Sequence, residues 1–105
     1  MRGDPVEGAW LYIIRCRDGS YYVGTTRETL DRRVAEHNAG TYHGFTARRR
    51  PVMLVSSEYF QRITDAIAAE RQVKGWRRDK KEALIRGDYA ALPGLARTAR
   101  RYSEG

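Results

Sequence analysis

Five side chains stand out for the chemistry that their types and spacing allow. Glu70 falls between Ile67 and Val73 at three-residue intervals, so on a helix its carboxylate interrupts an apolar stripe. A carboxylate drawn into such a stripe needs a cation or hydrogen bonds, because desolvating it alone is costly. Two cations fit: the ammonium of Lys74 one turn on, or a hard metal ion held by one carboxylate and several waters, as Mg²⁺ commonly is. With one carboxylate indicated, a single ion is expected rather than a two-metal pair. Arg33 and His37 lie four residues apart, hence one above the other on a helix. Arg33 borders a stripe of Leu30, Val34 and His37, where its planar guanidinium suits bidentate contact with a phosphate. The plainer roles are a surface ion pair with Glu28, Asp31 or Glu36 for Arg33, and a helix-end position favoured by the dipole for His37.

Tyr12 and Tyr22 complete the set, and their simplest role is to fill a hairpin. Ala9 to Cys16 reads as a central strand, aromatic and apolar on both sides. A turn at Arg17-Asp18-Gly19-Ser20 returns the chain through a second strand, Tyr21 to Gly24. A two-residue loop at Asp18-Gly19 would pair Tyr12 with Thr25 and send the tyrosines to opposite faces. A three-residue loop with Gly19 left-handed pairs Tyr12 with Gly24 and Ile14 with Tyr22, and both rings share a face. A common site requires the second register.

The elements that must position these groups follow in order. Thr25 with Glu28 has capping-box spacing and opens a helix to about Asn38, ended by Ala39-Gly40. A loop from Thr41 to Arg50 leads to a third strand, Val52 to Val55, fading through Ser56-Ser57-Glu58. Thr64 or Asp65 caps a second helix through Ala66, Ile67, Val73 and Trp76. Asp79 with Glu82 opens a short third helix over Ala83, Leu84 and Ile85, stopped by Gly87. A last turn from Asp88 breaks at Pro93-Gly94, and 97–105 reads as frayed. This order predicts an α+β fold: a small three-stranded antiparallel sheet flanked by helices, over 9–86, with 87–105 as a C-terminal extension.

Length and charge bound the rest. At 105 residues the chain is one domain, and its longest apolar run, Ala9 to Ile14, is far below the roughly 20 residues that span a bilayer. No membrane association is expected. A single cysteine, Cys16, and no readable secretory signal at Met1 to Gly8 point to the cytoplasm. The formal charge is +7, and all of that excess lies in 48–105, since 1–47 holds six basic and six acidic side chains. Clustered Lys and Arg favour a polyanionic partner, through counterion release from a phosphate backbone. Arg48-Arg49-Arg50 and Arg77, Arg78, Lys80 and Lys81 beside Trp76 are the candidate phosphate contacts, with Lys74 on the helix before them. A solvated basic face is the bland alternative.

Trp10-Leu11-Tyr12 followed by Tyr22-Val23-Gly24 resembles the paired signature of the GIY-YIG nuclease superfamily, with Trp10 and Leu11 departing from the first triplet. Arg33, nine residues after Gly24, and Glu70 on a later helix fall where the family has its arginine and glutamate. Glu36-His37-Asn38-Ala39-Gly40, Arg50-Pro51-Val52 and Glu70-Arg71-Gln72-Val73-Lys74-Gly75-Trp76 resemble the small stand-alone bacterial members. The resemblance implies a DNA endonuclease dependent on a single Mg²⁺ or Mn²⁺. In it Glu70 holds the metal, Arg33 stabilises phosphoryl charge, and Tyr12 helps activate water, with His37 or Tyr22 relaying a proton. Free tyrosine, with a pKa near 10, is a poor base at neutral pH without nearby cations. Selectivity for branched or nicked DNA rather than sequence, a DNA-repair setting, and help from a protein partner are the accompanying expectations. The alternative is a nucleic-acid-binding module with weak catalysis; a protein adaptor using the basic face on an acidic partner is a third reading.

Overall fold

A computed structural model of the chain describes residues 8–41 and 44–88. Its elements run β1 (Ala9–Arg15), β2 (Tyr21–Thr26), α1 (Leu30–Asn38), β3 (Met53–Phe60), α2 (Ile63–Lys74) and α3 (Arg78–Arg86). The three strands form one antiparallel sheet in the order β2-β1-β3. This is the expected α+β architecture. The end of the chain from 89 on, including Pro93-Gly94 and most of the extension, lies outside the described residues.

Because side chains alternate along a strand, β1 feeds two layers. Leu11 and Ile13 join Val23, Phe60, Ala66, Ala69, Val73 and Leu84 in the larger core under α2 and α3. Tyr12 and Ile14 face the other way with Cys16 and Val52, covered by Leu30 and Val34 of α1. The hairpin takes the three-residue loop. Gly19 has φ +87°, a conformation that side-chain-bearing residues rarely adopt. Its N–H donates to the Cys16 carbonyl (2.9 Å), and Cys16 N–H donates to the Ser20 carbonyl (2.8 Å). Tyr12 therefore stands opposite Gly24 and Ile14 opposite Tyr22. Both tyrosines share a face.

Helix starts differ from those the sequence predicts. Thr25 does not cap α1. It stays in β2, paired with Leu11, while Thr29 caps the helix by accepting from Arg32 N–H at 3.2 Å. The β1–β2 ladder runs on through Thr26, whose hydroxyl accepts from Glu28 N–H at 3.0 Å, so the chain turns toward the helix only after it. Neither Thr64 nor Asp65 caps α2, and Asp79 does not cap α3; Arg62 and Arg77 occupy those positions with no side-chain cap bond. β3 continues to Phe60, because an edge strand carries polar side chains on its wet face without losing its pairing to β1. The stripe that α2 buries is Ala66, Ala69 and Val73, and Ile67 is exposed. Glu70 thus borders the buried stripe rather than interrupting it. Among the described residues no helix is long and apolar enough to cross a membrane.

Candidate active site

Tyr12 projects from the centre of the sheet toward α1 and is almost fully buried, as are His37 and Thr46. The Tyr12 hydroxyl lies 3.2 Å from His37 Nε2, and His37 Nδ1 lies 2.8 Å from Thr46 Oγ1. Thr46 belongs to the loop between α1 and β3, so a strand, a helix and a loop meet in one polar chain. Tyr22 stands edge-on to His37, ring centroids 5.1 Å apart, and 6.4 Å from Tyr12. Gly24 makes room for both phenols. A Cβ there would sit 2.7 Å from the Tyr12 hydroxyl oxygen and 3.2 Å from Tyr22 Cε2.

Burial, with the Arg33 charge adding to it and Glu36 opposing, holds the His37 pKa below its ordinary 6.5. The imidazole is therefore neutral at pH 7 and offers one donor and one acceptor. With its Nδ1–H donated to Thr46, Nε2 can accept the Tyr12 proton. Arg33, one turn before His37, donates from Nη2 to Thr26 Oγ1 at 3.0 Å and lies 3.9 Å from Glu36.

Glu70 stands on the other side of the sheet. Its Oε1 accepts from Thr25 Oγ1 (3.0 Å), and its Oε2 is paired with Lys74 Nζ (2.8 Å). Thr25 and Thr26 are consecutive on the edge strand β2 and point to opposite faces. One holds Glu70 and the other Arg33, so the carboxylate and the guanidinium straddle that edge. Tyr12, Tyr22, Arg33 and His37 are brought together on one face; Glu70 lies on the other face of β2, outside their cluster, so the five do not share one cleft. Lys74 is within electrostatic reach of Tyr22, and its pKa is raised, first by its hydrogen bond to Glu70. Among the described residues no three of His, Cys, Asp and Glu gather to hold a metal ion. The one carboxylate at this partly open edge has both oxygens engaged, by Thr25 and by the half-exposed Lys74.

The basic runs divide. Arg49 donates to Asp18 Oδ2 (3.1 Å) and the Phe45 carbonyl (2.8 Å), and Arg50 to the carbonyls of Ala47 (2.9 Å) and Asn38 (3.3 Å). Arg78 donates to Glu82 (3.1 Å) and to the Gly19 carbonyl (2.9 Å), and covers the Tyr21 ring. These three arginines brace the hairpin turn and its neighbouring loop. Arg48 and Arg77 are exposed, Lys80 lies 5.2 Å over the Trp76 ring, and Lys81 is half-buried. Sequence reasoning missed Thr46, Thr25 and Thr26. Strand alternation through Thr25-Thr26 would have placed them on either side of an edge; Thr46, in a loop, leaves no periodic signal.

A family model described as the GIY-YIG catalytic domain matches residues 8–83. A UPF0213 protein of Halobacterium salinarum is 45% identical over 75 residues, which cover 71% of this chain and 96% of that protein. One from Staphylococcus saprophyticus is 38% identical over 76 residues, 72% of this chain and 92% of the relative. The solution NMR structure of an E. faecalis protein matches with a TM-score of 0.56 at 34% identity, covering 86% of this chain and 93% of the other.

Proposed function

This chain belongs to the GIY-YIG family, a nuclease-fold family, and on that premise we propose that it is a metal-dependent endonuclease hydrolysing phosphodiester bonds in DNA. The observation that carries the proposal is the Tyr12–His37–Thr46 chain beside Arg33, with His37 held neutral and able to receive a proton. Tyr12 takes a proton from the attacking water as its own passes to His37 Nε2, and Thr46 keeps the imidazole turned for that transfer. Arg33 meets the charge that grows on the phosphoryl oxygens. Tyr22 packs against the imidazole edge and limits its rotation. Glu70 would hold Mg²⁺ or Mn²⁺, and Lys74, half exposed, can leave the carboxylate at little cost. The ion, when bound, supplies positive charge to the scissile phosphate and the departing 3′ oxygen.

The exposed cations Arg48, Arg77 and Lys80 would contact phosphates, which positions a duplex without reading its bases. Selection by DNA structure, such as branches or nicks, is the matching specificity, and DNA repair in the cytoplasm with a directing protein partner is the matching setting. The test is incubation with branched, nicked and linear DNA, with and without Mg²⁺, using the native chain and Glu70→Gln. Metal-dependent cutting that disappears in Glu70→Gln while DNA binding remains is the expected result. Retardation of DNA with no cutting at any Mg²⁺ or Mn²⁺ concentration would replace the enzyme with a binding module.

A further inference from the structure

The loop between α1 and β3 presents a flat group that the proposed hydrolysis does not use. Phe45 keeps 42% of its surface exposed. Its ring stacks on Tyr22, centroids 6.3 Å and planes 29° apart, and the Arg49 guanidinium lies 4.0 Å over it. Arg49 is fixed in turn by Asp18 and by the Phe45 carbonyl. An exposed aromatic is unremarkable by itself. This one ends a continuous series of planar groups that starts at the buried Tyr12–His37 pair and passes through Tyr22 to the surface.

Aromatic faces and arginine planes are the surfaces on which unpaired nucleobases stack. A base inside a continuous duplex has both faces covered by its neighbours and cannot use such a surface without being extruded. We infer that the Arg49 guanidinium, seated on the Phe45 ring and itself part-exposed, forms a stacking platform for an unpaired base beside the phosphate being cut. The substrate class is then DNA with an unstacked nucleotide at the cleavage point, as in a gap or at a branch. The inference rests on the nuclease reading for the position of the scissile phosphate, and the exposed neighbour Arg48 would take an adjoining phosphate.

The test uses the full chain in metal-free buffer and two DNAs of equal length. One is an intact duplex; the other has a one-nucleotide unpaired site containing 2-aminopurine, whose fluorescence falls on stacking. Tighter binding of the unpaired-site DNA, with quenching, is expected. Phe45→Ala should weaken that binding about tenfold and abolish the quenching, leaving intact-duplex affinity unchanged. Phe45→Trp should restore both, and Phe45→Leu, which keeps apolar bulk without a π face, should not. Equal affinity of the native chain for both DNAs, or quenching that survives Phe45→Ala, overturns the platform. Cleavage in Mg²⁺ is scored separately on the same DNAs. Cutting without any preference for the unpaired site overturns the platform and leaves the nuclease. Preference and quenching without cutting support the platform and remove the nuclease.

Discussion

The two faces of β1 are built from alternate residues of one strand, yet they do different work. Toward α2 and α3, Leu11 and Ile13 meet Val23, Phe60, Ala66, Val73 and Leu84, a contact among carbon atoms. Toward α1, Tyr12 meets an imidazole, which meets a threonine hydroxyl, with a glycine left open for the rings. Burying carbon stabilises roughly in proportion to area. Burying a phenol, an imidazole and a hydroxyl is tolerable only because each has a partner. Stability is concentrated on one face and proton-handling groups on the other. At the Thr25-Thr26 edge the two faces come closest in sequence: Thr25 holds Glu70 on one and Thr26 holds Arg33 on the other.

A pair of substitutions in adjacent residues should break this comparison most sharply if it is wrong. Tyr12→Phe removes one oxygen from the α1 face and should lower Mg²⁺-dependent cleavage by about 10²–10⁴-fold, the range of a lost general base. Its cost to folding is about 1–3 kcal/mol, from a buried partner left unsatisfied. Leu11→Ala, one residue away and pointing oppositely, should cost about 2–5 kcal/mol of stability. The fraction that stays folded should cut at close to the native rate. Thermal melting and cleavage normalised to folded protein separate the two. A Leu11→Ala variant that melts normally but no longer cuts would show that the faces are not divided in this way.

The division was partly legible in the sequence, and the reasons differ by residue. The turn Arg17-Asp18-Gly19 allows two registers in the sequence; left-handed Gly19 in the fold selects the three-residue loop, and that register puts Tyr12 and Tyr22 together. Ile67 draws attention to Glu70 in the sequence, yet Ile67 is exposed, and the small residues Ala66 and Ala69 form the buried stripe with Val73. Alanine carries a weak hydrophobic signal but allows close helix–sheet approach. Thr25 read as a cap because a threonine three residues before a glutamate has the same pattern in a strand that has not yet ended. In the sequence Arg49, Arg50 and Arg78 stand as candidate phosphate contacts. Whether a guanidinium faces solvent or a carbonyl depends on the loop path, which composition does not encode.

A smaller effect should distinguish the faces by pH. His37 has a folded-state pKa below its unfolded 6.5, mainly through burial, so at pH above that value both states are neutral and nothing is lost. As pH falls below 6.5 the unfolded chain binds a proton that the folded chain resists, and stability declines until the folded pKa is passed. The slope from this one group is at most about 1.4 kcal/mol per pH unit. Melting followed from pH 8 to 5 should show the decline in the native chain. His37→Leu should lack that component, and no substitution in the α2 core should remove it. A native chain whose stability is level across this range would mean that His37 is not held neutral.

The smallest expected change concerns Glu70 and Lys74. A buried carboxylate paired with a buried ammonium would lose about 3–5 kcal/mol when one partner is neutralised. The pair exists, at 2.8 Å, but the Lys74 side chain is 52% exposed against 19% for Glu70. Water can take over the ammonium at once, so the relevant range is that of a surface ion pair, about 0–1 kcal/mol. Glu70→Gln keeps an oxygen for Thr25 and relieves the desolvation of a partly buried charge, which offsets even that. Its melting temperature should stay within about 4 °C of native, given how stability scales with melting in domains of this size. A fall of 10 °C or more would show that the carboxylate serves the fold of the α2 face. A level melt with lost cleavage would show that it sits on the stabilised side of the sheet for the sake of the other.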